Sequence, residues 1–173
     1  MLPFFIESPP LYSNLSIAHN SILTTMQDPT TDPLRLENQL CFALYSASNA
    51  IVRAYRPLLE QLELTYPQYL VMMVLWAQDG CSVKELGEQL FLDSGTLTPL
   101  LKRLEMKGYV MRGRSELDER VRVLRLTEVG INLKQQAADI PCQMRDLLQF
   151  NDETLLSLKQ QCLLVQRQLH QPD

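Results

Sequence analysis

The sequence predicts a mainly α-helical protein with a small β-wing, arranged as a winged helix-turn-helix. Three observations predict it. Apolar residues recur at helical spacing over residues 33–64 and again after residue 127. Two short amphipathic segments with helix-start signals fill residues 82–107. Two β-like runs, YVMRGR and RVRVLRL, then alternate apolar and basic residues around the polar loop SELDE.

The N-terminal part divides into a tail and a long helix. Residues 1–32 are rich in Ser, Thr, Pro and Asn without a steady period, which predicts a poorly ordered extension. Met26 opens a second plausible start, so the first 25 residues read as an upstream extension. Residues 33–64 predict a dimerisation helix, which Pro57 should bend or break.

Residues 65–127 predict the winged helix-turn-helix region. Thr65 is a candidate N-cap with Pro67 in the first turn, and Asp79-Gly80 is a stop signal. Ser82-x-x-Glu85 forms a capping box for a helix of about two turns. The next helix runs from about Asp93 to Lys107 with Gly108 after its end, and its buried stripe is Leu97, Leu100, Leu101 and Leu104.

Residues 128–170 predict C-terminal dimerisation helices. Thr127 caps a helix from Glu128 to about Leu148, and a last helix runs from about Asp152 to Leu169. The long helices at both ends carry broad apolar faces that one small winged domain cannot cover. A two-fold dimer would bury them, so we expect a homodimer.

The charge of the chain is unevenly distributed. The net charge is −4, but residues 94–125 hold eight of the 16 Lys/Arg and four acidic residues, a local net charge of +4. A local basic patch is the electrostatic footprint of DNA binding, although charge alone equally fits a solvated surface ribbon.

The cysteine and apolar patterns exclude several classes of protein. The four cysteines, at 41, 81, 142 and 162, form no C-x-x-C pair, and with two histidines in the chain they exclude a zinc finger; we expect no metal and no cofactor. No apolar run is long enough to span a membrane, and the start lacks the basic residues of a signal peptide. We expect a cytoplasmic protein with reduced thiols.

Residues 33–170 resemble the MarR family of transcriptional regulators. The resemblance rests on LTYPQYLVMMVLW, VKELGEQLFLDSGTLTPLLKRLEMKGYVMR and DERVRVLRLTEVG, in that order. Within the family, the run LCFALYSASNAIVRAYRPLLEQLELTYPQYLVMMVLW is similar to the organic hydroperoxide resistance regulators. The resemblance implies a dimeric MarR-like architecture, with N- and C-terminal helices forming the dimer interface, and a transcriptional repressor bound to double-stranded DNA at a near-palindromic operator.

The resemblance also implies how DNA is read. The helix from about Asp93 to Lys107 would enter the major groove, and Arg120 of the family's D-x-R pattern, braced by Asp118, would reach the minor groove. The remaining candidates for base or phosphate contacts are Asp93, Ser94, Gly95, Thr96, Thr98, Lys102, Arg103, Arg112 and Arg114. We interpret Arg122 and Arg125 as solvent-exposed.

Cys41 matches the cysteine that senses organic hydroperoxides in this group. It lies near a helix N-terminus, whose dipole favours a thiolate, and Tyr45 lies one turn further on the same face. Tyr55 is fourteen residues away, about 21 Å along a continuous helix at ~1.5 Å per residue. Only a partner helix could bring Tyr55 to the thiol. The resemblance agrees, and assigns Tyr55 and Tyr66 of the other subunit as hydrogen-bond donors to the cysteine.

Two outcomes of oxidation are known in the group, a mixed disulfide with a small thiol or an intersubunit disulfide. For the second, Cys142 is the candidate partner of Cys41, whereas Cys162 reads as core and Cys81 as structural. Two other functions remain open. One is a regulator responding to a small aromatic ligand in the dimer cleft, with Cys41 incidental. The other is a thiol peroxidase, which would leave the DNA-binding segment unexplained, so we expect no enzyme.

Overall fold

The computed structural model describes residues 32, 34–114 and 122–169. The chain divides into two compact units, Met1–Asn49 and Ala50–Asp173. After a 3-10 turn at Leu36–Asn38, the elements are α1 (Leu40–Glu60), α2 (Tyr66–Ala77), α3 (Val83–Leu90), α4 (Ser94–Met106), β1 (Val110–Arg114), β2 (Arg122–Leu126), α5 (Glu128–Gln136), α6 (Ile140–Leu148) and α7 (Asp152–Leu169).

The long first helix differs from the prediction at its start and at Pro57. It begins at Leu40 and not near residue 33, because Gln39 is extended and separates the helix from the 3-10 turn. It also continues through Pro57, so of the bend or break that this proline predicts, the break is wrong. Proline removes one helical hydrogen bond, but Leu59 and Leu62, just beyond it, are fully buried in the core. Their packing holds the last turn in place.

The core of the second unit is built around α2, α4 and the wing. Leucines at the predicted spacing supply most of it, and Leu100 alone of the predicted stripe is only partly buried. The largest fully buried side chains are Leu59, Leu62, Met72, Leu75, Leu86, Leu97, Leu101, Leu104, Leu124 and Ile140. The apolar spacing of the sequence therefore identified the inner faces of the helix-turn-helix pair.

The helix-start signals of the sequence are used as predicted. The Thr65 backbone N–H donates to the side chain of the buried Gln68 over 3.0 Å. The Ser82 N–H donates to Glu85 over 2.7 Å, and the Glu85 N–H donates back to the Ser82 hydroxyl over 3.2 Å. Gly87 lies within α3, and a Cβ there would lie 2.7 Å from the carbonyl oxygen of Leu92, in the turn before α4. Only glycine permits this close turn, which sets α4 against α3.

The two strands form the predicted antiparallel hairpin, with Val110 opposite Leu126 and Arg114 opposite Arg122. Strand β2 is hydrogen-bonded to the helical body. Its Leu124 N–H donates to the Cys81 carbonyl over 2.9 Å, and its Leu126 N–H donates to the Asp79 carboxylate over 2.8 Å. Asp79, expected only as part of a stop signal, therefore anchors the wing.

The predicted single helix from Glu128 to Leu148 is wrong. The structure has two helices, α5 and α6, separated by a turn at residues 137–139. Pro141 explains the break, because it has no N–H to donate to the carbonyl of Ala137 and its ring disfavours helix in the residue before it. Proline instead occupies the first turn of α6, where no donor is needed. Helix α7 has the predicted bounds, and none of its residues is buried.

Candidate functional site

The N-terminal end of α4 is held by its own polar side chains. The Asp93 carboxylate caps the helix, accepting from the Thr96 N–H over 2.9 Å and from the Thr96 hydroxyl over 2.8 Å. The Thr96 N–H, more than any other group, lowers the pKa of Asp93. The Thr98 hydroxyl donates to the Ser94 carbonyl over 2.7 Å. Asp93, Thr96 and Thr98, expected at the DNA, are thus already hydrogen-bonded within α4.

The outer face of α4 presents the remaining candidates. Ser94, Gly95, Lys102 and Arg103 are exposed, whereas Leu97, Leu101 and Leu104 on the opposite face are buried. This face has the polar, positively charged character that a helix in the major groove requires. All four residues are therefore open to solvent on α4.

The wing carries the other arginines. Arg112 Nε lies 2.8 Å from Glu105 Oε1 on α4, so Arg112 is paired within the chain. Arg114 is exposed at the end of β1 and also has an interaction within the chain. Asp118 and Arg120, the expected minor-groove residues, lie outside the described residues.

Cys41 and Tyr45 belong to the first unit. Cys41 is the second residue of α1 and is exposed, and Tyr45, one turn further, is 66% exposed. Neighbouring apolar residues Leu40 and Phe42 are exposed as well. In the single chain, the thiol therefore stands near a helix N-terminus within reach of peroxide.

The second unit contains a tyrosine cluster, consisting of Tyr55, Tyr66 and Tyr69. The ring centroids of Tyr55 and Tyr66 are 4.6 Å apart, and those of Tyr55 and Tyr69 are 6.0 Å apart. Burial raises the pKa of each phenol, and for Tyr55 the neighbouring Tyr66 and Tyr69 raise it further. The phenols therefore keep their protons near neutral pH and remain hydrogen-bond donors.

The other cysteines lie in the second unit. Cys142 is an exposed residue of α6. Cys162 is exposed on α7, so its assignment to the core is wrong for this chain, because no other described element covers α7 there. Cys81 is buried, its thiol donates to the Gln78 carbonyl over 3.1 Å, and burial raises its pKa. The structure thus supports a structural role for Cys81.

Sequence reasoning missed the contacts that join α4 and α5 to the other helices. The Lys107 amine donates to the Glu63 carbonyl, and the Tyr109 hydroxyl donates to the Leu62 carbonyl, at the end of α1. The Trp76 indole N–H donates to the Gly130 carbonyl over 2.9 Å. Residues 44 to 54 positions apart in sequence make these bonds, so no local pattern predicts them.

Two kinds of site are not found within the described part of the chain. No helix there combines the length and apolarity needed to cross a membrane. No three His, Cys, Asp or Glu residues in the same ranges are grouped in a way that would hold a metal ion.

Comparisons with known proteins place the chain among transcriptional regulators. Residues 53–137 match the family described as transcriptional regulator SarA/Rot. The organic hydroperoxide resistance transcriptional regulator of Bacillus subtilis is 49% identical over 140 residues, which are 81% of this chain and 95% of that protein.

The solved structures that are similar include AbfR of Staphylococcus epidermidis. Reduced AbfR bound to DNA matches with a TM-score of 0.66 and 32% identity, over 79% of this chain and 96% of that one. AbfR with its disulfide formed matches with a TM-score of 0.55 and 33% identity, over 85% and 98%. The chain belongs to the MarR family of DNA-binding, winged helix-turn-helix transcriptional regulators, in the group of organic hydroperoxide resistance regulators.

Proposed function

We propose that this protein is a cytoplasmic, dimeric repressor that releases its operator when an organic hydroperoxide oxidises Cys41. One observation carries the proposal: in a chain 49% identical to a hydroperoxide resistance regulator, the cysteine at the start of α1 is exposed. That relative's name supports the effector class. The tyrosine cluster supports it too, because protonated phenols can stabilise a thiolate supplied by a partner chain.

The chemistry is a two-step thiol oxidation. The Cys41 thiolate attacks the outer oxygen of the hydroperoxide, an S–O bond forms, the O–O bond breaks, and the alkoxide leaves as the alcohol after taking a proton. The sulfenic acid then reacts with the Cys142 thiol of the partner subunit, giving a disulfide and water. Both thiols are exposed in the single chain, as this sequence of steps requires.

The disulfide would act by moving helices. A disulfide needs Cα atoms within about 7 Å, so a pair that starts further apart must draw its helices together. Cys142 lies in α6, which follows directly on α5 and the wing. Rotation of the two winged regions out of register with the half-sites would cost about 3 kcal/mol of DNA affinity, which is roughly a hundredfold in occupancy.

A dimer explains the uncovered apolar faces of the terminal helices. Large apolar side chains are exposed on α1 (Leu40, Phe42, Tyr45, Val52) and on α7 (Leu156, Leu158, Leu163, Leu164, Leu169). Monomeric proteins rarely leave so many such residues open to water. A two-fold dimer through these helices would bury them and would present two α4 helices to a near-palindromic operator.

In this dimer, α4 lies in the major groove, with Ser94 and Gly95 near base edges and Lys102 and Arg103 at base edges or phosphates. Asp93, Thr96 and Thr98 order the N-terminal end of α4 and complete the contacts there. The wing would add Arg114 at the backbone and Arg120, braced by Asp118, in the minor groove. Affinity then falls steeply with salt, since each phosphate contact releases counterions.

The test measures operator release in the full-length dimer. A duplex selected from a random pool by binding to the reduced protein is followed by fluorescence anisotropy, with and without cumene hydroperoxide. We expect wild type and the control variant C162S, which removes another exposed thiol, to release the duplex, whereas C41S stays bound. Release by C41S at the wild-type peroxide dose would refute the assignment of Cys41.

A second candidate function is a response to a small aromatic ligand. An open, largely apolar groove of about 260 Å³ in the second unit is lined by residues including Tyr69, Met73, Trp76 and Pro141, with Lys134 at its edge. Titration of the duplex complex with salicylate distinguishes the two functions. Release by salicylate from C41S would favour the ligand-responsive regulator, and retention would favour the thiol sensor.

A further inference from the structure

The recognition helix α4 and the first wing strand β1 are joined by an ion pair. Arg112 Nε on β1 donates to Glu105 Oε1 on α4 over 2.8 Å, and both side chains are partly exposed, at 41% and 27%. The two residues stand on either side of the turn at residues 107–109, which links the two DNA-reading elements. The pair therefore closes this turn with a side-chain bond.

The wing is also held to the helical body by the buried Val110 of β1 and by backbone hydrogen bonds of β2. Gly80 and Cys81 exchange backbone hydrogen bonds with Leu124 of β2, and Asp79 accepts from Leu126 of β2. Strand β1 is bonded to β2 and continues from the end of α4. A bond from Arg112, in the middle of β1, back to α4 therefore limits how far this strand can move relative to the recognition helix.

We propose that Glu105 and Arg112 are positioning residues that brace the wing on the recognition helix, so that both elements meet DNA as one body. Arg112 then serves DNA binding through Glu105 and not as an independent phosphate contact. An exposed ion pair contributes little to folding stability. The pair acts instead by holding the recognition helix and the wing at the spacing that one operator requires, since each of these elements alone makes weak contacts with DNA.

The direction in which replacing Glu105 changes DNA affinity distinguishes a brace from a simple electrostatic effect. Removing an acidic side chain beside DNA should raise affinity, because Glu105 repels phosphates. If Glu105 braces the wing, its removal lowers affinity instead. A phosphate contact by Arg112 has a different signature, since its loss reduces the slope of log affinity against log salt by about 1.

The experiment measures affinity of the reduced, full-length protein for the selected duplex over a series of salt concentrations. The variants are E105Q, R112Q, the double variant, and E88Q, which breaks the exposed Lys84–Glu88 pair on α3 and is the matched control. We expect each single variant to bind roughly fivefold more weakly, the double variant no more weakly than either, and E88Q unchanged, all with the wild-type salt slope.

Binding by E105Q that equals or exceeds wild type overturns the proposal, whatever R112Q does. A salt slope reduced by about 1 in R112Q also overturns it and makes Arg112 a phosphate contact. The thermal midpoint of each variant checks that the fold is kept. The affinity of the charge-exchanged variant E105R/R112E is a second test. If the pair is a brace, this variant re-forms it and should bind the duplex more tightly than E105Q.

Discussion

Gly130 lies where α5 meets the base of the wing, and its replacement by alanine tests that packing. A Cβ at Gly130 would lie 2.1 Å from the Tyr109 carbonyl oxygen, whereas ordinary contact begins at 3.4 Å, so the two backbones must separate by 1.3 Å. The Gly130 carbonyl also accepts the Trp76 indole N–H. A shift of α5 therefore strains a hydrogen bond as well as the contact between α5 and Tyr109, which immediately precedes β1.

The expected cost follows from opposing contributions. Alanine favours helix by about 1 kcal/mol over glycine, overpacking of a tight contact costs about 1–3 kcal/mol, and weakening the indole hydrogen bond costs about 1 kcal/mol. We expect G130A to lose about 2 kcal/mol of unfolding free energy. At about 2–4 °C per kcal/mol, the thermal midpoint falls by roughly 4–8 °C. Operator affinity should fall as well, because Tyr109 begins the wing.

Thermal and urea unfolding at one fixed protein concentration measure the effect. The control is G113A in β1, where an added Cβ meets only side-chain atoms 3.7 Å or more away. G113A should match wild type. Stability of G130A at or above the wild-type value would refute the close approach of α5 to the wing.

Other predictions concern the cysteines, the tyrosines and the dimer. Y55F should slow alkylation of Cys41 by iodoacetamide by about tenfold, because the charged thiolate loses one hydrogen bond. The control variant Y109F should react at the wild-type rate, since the Tyr109 hydroxyl that it removes donates to the Leu62 carbonyl. Equal rates in wild type, Y55F and Y109F would contradict the cross-subunit sensor. Mixing C41S with C142S should give oxidised dimers with one disulfide, which neither variant forms alone, and a mixture without such dimers rules out an intersubunit bond. Because burial raises the pKa of Tyr55, the folded state holds that proton more tightly, so the unfolding free energy in urea should decline as the pH rises above about 10, and it should decline less steeply in Y55F. L163E should make the protein monomeric in light scattering, and a stable L163E dimer would place the interface elsewhere.

Local signals in the sequence were sufficient for most of the fold. Ser82 and Glu85 cap α3 as their spacing predicts, and the leucines of α4 face the core. Two of the errors fall at prolines, where the sequence indicates a lost hydrogen bond but not whether packing compensates. Pro57 is tolerated beside the buried Leu59, whereas Pro141 begins a new helix.

The candidate site was only partly predictable, for a related reason. The family resemblance assigns Tyr55 and Tyr66 to one site, and the structure brings those two rings together, whereas the role of Cys41 stays a prediction. The bond from Arg112 to Glu105 could not be predicted, because an exposed charge carries no sequence signal for its partner. The exposure of Cys162 could not be predicted either, since an apolar helical stripe looks the same in sequence whether it packs within one chain or between two.

We propose that the oxidation state of Cys41 sets operator occupancy. The most direct test titrates the wild-type dimer–duplex complex with an organic hydroperoxide while anisotropy and peptide mass spectrometry are recorded on the same samples. We expect the fraction of duplex released to follow the fraction of Cys41 oxidised, and dithiothreitol to reverse both. Release while Cys41 remains a thiol, or full oxidation of Cys41 with the duplex still bound, would contradict it.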